Sequence, residues 1–160
     1  MDHLLPLADK LGERLKGAKQ TIAVAESSAG GLISALLLSV SGASAYYVGG
    51  GVIYTQRARV SLLDIPREAL GDARSQTEDY AMILARGVRE KCGTDWGIGE
   101  TGSTGPTGKA GHCALAVSGE NVELSLVVET GDGDRVKNMY AFAEAALDLA
   151  LAAMEDIGAT

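Results

Sequence analysis

The sequence predicts a single α/β domain with a mixed sheet and helices on both faces. Short, partly β-branched apolar runs alternate with helically spaced apolar residues through the first part of the chain. The last two apolar runs then follow one another without a helix between them, and a helical segment closes the sequence. A length of 160 residues suits one such domain around one core.

The elements follow in order. Leu4, Leu7, Ala8, Leu11 and Leu15 recur at helical spacing, with Gly17 as the expected stop. Thr21 to Ala25 has the composition of a buried strand. It runs into Glu26-Ser27-Ser28-Ala29-Gly30-Gly31 and then a helical stretch from Leu32 to about Val40. Val48 to Tyr54 is a second strand, in which Gly49, Gly50 and Gly51 weaken the pattern or bring backbone close to a neighbour. Gln56 to Leu63 is helical in pattern, and Pro66 starts a short helix at Arg67. Ser75, with Glu78 three residues on, forms a capping-box pattern opening a helix to about Lys91. Trp96 to Thr101 is a third strand, followed by a loop from Gly102 to Gly108. His112 to Ser118 and Val122 to Thr130 read as an antiparallel hairpin turning at Gly119, Glu120 and Asn121. Asp134 is the expected cap of a last helix carrying Val136, Met139, Tyr140, Ala143, Leu147 and Leu151 along one side.

Composition narrows the function. A net charge of −7 argues against a general nucleic-acid binder, which needs a basic face for the phosphate backbone. It leaves room for a small anionic ligand held by local cations. Cys92 and Cys113 are too few and too far apart for a disulfide framework or a zinc site and read as reduced, packed thiols. No metal site is expected. The first residues lack the apolar run and cleavage site of a leader, and no stretch reaches the roughly 20 apolar residues of a membrane span. The expected address is the cytoplasm.

Two segments carry candidate chemistry. Ser27 lies where a strand gives way to a helix, so its hydroxyl is a candidate nucleophile, with N–H groups near Gly30 and Gly31 as oxyanion donors. The same residues would also serve as an ordinary helix cap, and Glu26 either holds the turn or binds a ligand hydroxyl. The loop from Gly102 to Lys109 resembles a phosphate-binding loop, but five residues separate Gly102 from Gly108 and Ala110 stands where a magnesium-binding hydroxyl is required. A looser role remains. Backbone N–H groups around Gly102 and Gly105 can form an anion-binding concavity beside the hydroxyls of Thr101, Ser103 or Thr104. His3 lies near a chain end and reads as inert, whereas His112 is a possible base next to the glycine loop.

Four motifs together resemble the CinA C-terminal family of nicotinamide-nucleotide amidohydrolases. Glu26-Ser27-Ser28-Ala29-Gly30-Gly31 is similar to its Glu-Ser-Cys-Thr-Gly-Gly signature, and Ser41-Gly42-Ala43-Ser44 to the following Gly-x-Ser turn. Gly50-Gly51-Val52-Ile53-Tyr54 is similar to its Gly-x-Val-x-Tyr-Ser strand. Thr101-Gly102-Ser103-Thr104-Gly105-Pro106 is similar to its Ser/Thr-Gly-Ile-Ala-Gly-Pro loop. The spacing agrees from about Leu4 to Leu151.

The resemblance implies a three-layer α/β/α homodimer without metal or other cofactor. It implies hydrolysis of the carboxamide of nicotinamide mononucleotide to nicotinate mononucleotide and ammonia. Ser27 would be the nucleophile, Thr101 would assist, and a pocket with Glu26, Gly30, Gly31, Tyr54, Gly102 and Gly105 would bind the nucleotide. The family's base lysine falls on Arg59. Deprotonating a lysine at pH 7 costs roughly 4.6 kcal/mol, within what burial can supply; for an arginine the step costs about 9 kcal/mol. Arg59 is therefore expected to grip an anion or stabilise an oxyanion, leaving His112 and Glu26 as the ionisable bases in view. A non-catalytic nucleotide-binding relative is the alternative.

Overall fold

The computed structural model describes residues 1–156. Helix α1 (Leu5–Ala18) leads into strand β1 (Ile22–Glu26), helix α2 (Leu32–Ser39), strand β2 (Tyr47–Val52) and helix α3 (Gln56–Leu63). Helix α4 (Glu78–Cys92) precedes β3 (Trp96–Ser103), β4 (His112–Ser118) and β5 (Glu123–Glu129), and α5 (Arg135–Asp156) comes last. The sheet order is β2-β1-β3-β4-β5, with β1 parallel to both neighbours and the β3–β4 and β4–β5 pairs antiparallel. The chain is thus the expected α/β fold with a mixed sheet.

Period-two alternation along each strand divides the core into two unlike layers. Ile22, Val24, Trp96, Ile98, Leu115 and Val117 point to the face covered by α1, α2 and α5, where they meet Leu11, Leu36 and Phe142. Ala23 and Ala25 point the other way, toward Leu84 and Val88 of α4 and Leu63 of α3. Ala114 and Ala116 pack on Ala81 and Ala85 of α4. The α4 side is therefore built from very small residues. Gly97 and Gly99 complete it: a Cβ on Gly99 would meet the Ala81 carbonyl and lie 2.7 Å from the Ala85 nitrogen. Helix and sheet approach closely there because nothing stands between them.

Trp96 opens β3 on the opposite face. It is 1% exposed, and its indole N–H donates to the Gln20 side chain at 3.0 Å.

The element ends differ from expectation in instructive ways. Helix α1 runs through Gly17 and stops at Lys19, which adopts the left-handed conformation at φ 55° and donates its N–H to the Leu15 and Lys16 carbonyls. Strand β2 begins at Tyr47 and ends at Val52, short of Ile53 and Tyr54. Ser75 does not cap α4. Thr77 does, accepting from the Tyr80 N–H at 3.3 Å, while Glu78 accepts from Ser125 of β5 instead of closing a capping box. Asp134 caps α5 as expected, accepting from the Val136 and Lys137 N–H groups. Val136 itself is exposed, whereas Ala143, Leu147 and Leu151 are buried as expected and Phe142, Ala146 and Ala150 join them.

Gly99→Ala tests the close approach. Because the obstructing atoms are backbone, the helix must lift, and the variant is expected to lose roughly 2–3 kcal/mol in urea unfolding.

Candidate functional site

All three parallel strands end at the same edge of the sheet, where open α/β folds usually bind ligands. A cavity of about 390 Å³ opens there. Ser27 enters it from the turn after β1, Ile53 and Tyr54 from the segment after β2, and Thr101 from β3. Arg59 of α3, Tyr80 of α4, and Arg67 and Arg74 from the segment between those helices line the rest. The structure thus gathers Ser27, Tyr54, Arg59 and Thr101, four residues far apart in sequence, around one space.

Two buried carboxylates hold the turn that carries Ser27. Glu26 accepts from the Ile33 and Ser34 N–H groups, both at 3.0 Å, and from the Ser34 hydroxyl at 2.7 Å. It therefore satisfies free donors in the first turn of α2, where a negative charge is also favoured by the helix dipole. With 0% exposure and its oxygens so engaged, Glu26 is a structural clamp and does not line the cavity.

Glu100 holds the other side. One of its oxygens accepts from the Ser27 N–H at 2.8 Å and the Ala29 N–H at 2.9 Å; the other accepts from the Ser28 hydroxyl and, at 3.5 Å, the Cys113 thiol. Sequence reasoning missed Glu100. Its signal was a carboxylate in the strand Trp96-Gly97-Ile98-Gly99-Glu100, too buried in context to be left without donors. Burial raises its carboxyl above the ordinary carboxylate range, opposed by the Ala29, Ser28 and Ser27 donors. Burial, followed by the charge of Glu100, pushes the Cys113 thiol far up as well, so that this cysteine is no nucleophile.

The glycines shape the turns and do not line the cavity. Gly30 and Gly31 adopt positive φ, 68° and 102°, which redirects the chain into α2. A Cβ on Gly102 would lie 2.7 Å from Ser28 Oγ and 2.8 Å from the His112 carbonyl, and the Gly105 carbonyl accepts from Arg135 at 2.5 Å. The expected anion cradle at Gly102 and Gly105 is therefore a packed corner beside the site. Tyr54 stands exposed at the cavity rim, with its hydroxyl 3.5 Å from Arg135. The Thr101 hydroxyl accepts from the Gln76 N–H at 3.1 Å, anchoring the segment before α4.

Arg59 is 2% exposed. Its Nε donates to the Ile65 carbonyl at 3.0 Å and Nη1 to the Tyr80 hydroxyl at 3.1 Å, and it forms no ion pair among the described residues. His112 offers no replacement base. Nδ1 lies 2.6 Å from the Glu129 carboxylate and Nε2 2.9 Å from the Gln76 carbonyl, so both nitrogens are engaged elsewhere and the ring stands outside the cavity lining. The cavity lining contains no Lys, His, Asp or Glu. Ser27 Oγ makes no hydrogen bond among the described residues.

The model of the CinA C-terminal domain matches residues 4–154, nearly the whole chain. The chain belongs to the CinA C-terminal domain family. A CinA-like protein of Chlorobium limicola is 34% identical over 160 residues, covering 94% of this chain and 37% of that protein. One from Myxococcus xanthus is 36% identical over 132 residues, covering 78% of this chain and 31% of that protein. This CinA C-terminal domain thus spans about a third of those relatives. Among solved structures, the competence/damage inducible protein CihA from Agrobacterium tumefaciens superposes with a TM-score of 0.87 at 26% identity, covering 93% of this chain and 94% of that one. A CinA superfamily protein from Escherichia coli superposes at 0.83 with 25% identity, covering 91% and 87%. Among the described residues no helix is long and apolar enough to cross a membrane, and no cluster of His, Cys, Asp and Glu is arranged to hold a metal.

Glu100 gives this CinA domain a testable pH signature. Glu100→Ala orphans the buried Ala29 N–H and the half-buried Ser27 N–H and is expected to cost roughly 3 kcal/mol. Glu100→Gln retains an acceptor for both and offers an N–H to Ser28, so it is expected to fold. Because the folded carboxyl titrates high, its contribution is present below the ordinary carboxylate range and is lost as pH rises through the folded value. Urea midpoints over a pH series are therefore expected to show the wild type losing ground to Glu100→Gln from acid toward neutral pH.

Proposed function

We propose that this CinA-type domain binds a small, phosphate-bearing pyridine nucleotide in the Ser27–Thr101 cavity without the serine–lysine amide hydrolysis that the family resemblance implies. One observation carries the reading. The position that the chemistry requires to be a proton acceptor is Arg59, buried and tied to Ile65 and Tyr80, and no other residue lining the cavity is a Lys, His, Asp or Glu. A serine hydroxyl without a base is a poor nucleophile at neutral pH.

The rest of the cavity favours an anionic ligand. Three arginines line it with no carboxylate among them, on a chain whose net charge is −7. Positive charge concentrated against that background attracts a phosphate. The volume, about 390 Å³, lies within the range of small-molecule sites. The same reading takes the protein to be a cytoplasmic homodimer. Val48 and Val52 stand exposed on edge strand β2, and Val60 and Leu62 on α3, and such exposed apolar residues at a sheet edge support self-association.

A second reading is an amidohydrolase acting on the carboxamide of nicotinamide mononucleotide. The unbonded Ser27 hydroxyl favours it, although the proton would have to leave to a group outside the cavity lining.

The two readings separate in one experiment. Purified protein is titrated with nicotinamide and nicotinate mononucleotides by calorimetry, and ammonia release from the former is followed in parallel. Saturable binding is expected, with ammonia no higher than in Ser27→Ala and with Ser27→Ala binding comparably. Turnover that vanishes in Ser27→Ala would replace the binding reading with the amidohydrolase.

A further inference from the structure

Arg59 carries a charge that the protein leaves unmatched. Its contacts are the carbonyl of Ile65 and the hydroxyl of Tyr80, both neutral, with the Tyr80 ring 5.9 Å from the guanidinium carbon. Nη2 has no hydrogen-bond partner among the described residues, and the side chain lines the cavity at 2% exposure. A buried guanidinium without a counter-ion is among the least favourable arrangements a protein interior can hold. Nη2 is open to the cavity, and a ligand that brings an anion to that spot supplies the missing counter-charge.

Arg67 and Arg74 line the same cavity but are exposed, whereas Arg59 is buried. The cavity therefore meets its ligand with two kinds of cation. Exposed arginines at the mouth receive a strongly hydrated phosphate without stripping its water. A buried guanidinium suits a planar, more weakly hydrated carboxylate, which pairs with its fork of N–H donors. Ser27 and Thr101 add hydroxyls to the same lining.

We propose that Arg59 makes this cavity selective for the acid form of its ligand, a pyridine carboxylate nucleotide, over the corresponding carboxamide. This rests on the nucleotide reading of the site and adds which end of the ligand Arg59 reads. A carboxamide presents a single acceptor oxygen and leaves the guanidinium charge uncancelled. Its NH2 group also finds no carboxylate in the lining to receive it. On this reading the domain responds to the deamidated compound.

Calorimetry with nicotinate mononucleotide and nicotinamide mononucleotide tests the idea, because the two differ in that one group. The acid is expected to bind the wild type roughly ten- to a hundredfold more tightly. Equal affinities, or a preference for the amide, overturn acid selectivity while the nucleotide reading stands. Failure of both ligands to bind sinks the nucleotide reading and this proposal with it. The surface variant Arg67→Ser/Arg74→Ser controls for general attraction between charges. Both ligands are expected to weaken in parallel with their ratio preserved; a ratio that collapses there assigns the preference to the mouth and overturns the role of Arg59. Arg59→Gln is expected to bring the ratio close to one, and a persisting preference in that variant likewise refutes the assignment. Should that variant not fold, the wild-type ratio and the surface variant decide.

Discussion

A carboxylate buried under a turn organises this domain. Glu100 on β3 reaches across to the segment after β1 and takes the N–H groups of Ser27 and Ala29, while Glu26 takes those that open α2. Between them the two acids fix both ends of the stretch from Ser27 to Ser34. That stretch has little else to define it, since Gly30 and Gly31 supply conformational freedom and no side-chain contacts of their own. The cost is two desolvated carboxylates, each tolerated because N–H and O–H groups converge on it. What results is a serine hydroxyl held at the sheet edge by groups that never enter the cavity.

The same edge carries a fixed charge, Arg59, at the position where the family resemblance calls for a proton acceptor. An amine and a guanidinium at one position differ by more than size, because only the first can cycle between protonation states at neutral pH. The neighbours of Arg59 suit it as an arginine: the Ile65 carbonyl and the Tyr80 hydroxyl accept from two different nitrogens of the fork. A lysine could satisfy both only from a single ammonium. Arginine here is therefore integrated into the packing between α3 and α4.

Most of the fold was legible because the helices carry their own periodicity and the strands their short, partly β-branched apolar runs, which survive the low aromatic content. Element ends were less legible. Gly17 looked like a helix stop, but the left-handed residue is Lys19, chosen by where the backbone can reach Leu15 and Lys16. Ser75 matched a capping pattern that Thr77 fulfils, since Gln76 takes positive φ to bring its N–H to Thr101. At the site, Ser27, Tyr54, Arg59 and Thr101 were readable as motifs and do converge. Glu26 and the glycines were readable only as members of the motif, and their work is conformational. Glu100 escaped notice because its importance lies in partners on another strand, which spacing along one segment cannot reveal.

Trp96 is the single tryptophan of the chain, sealed at the start of β3 with its indole pinned to Gln20. Thr101 lies five residues further along the strand, about 16 Å away at ordinary β rise. The natural fluorophore thus sits in the helix-covered layer, remote from the space where a ligand would enter. Its emission therefore reports on the packing of that layer, so heat or urea scans of this protein need no added dye.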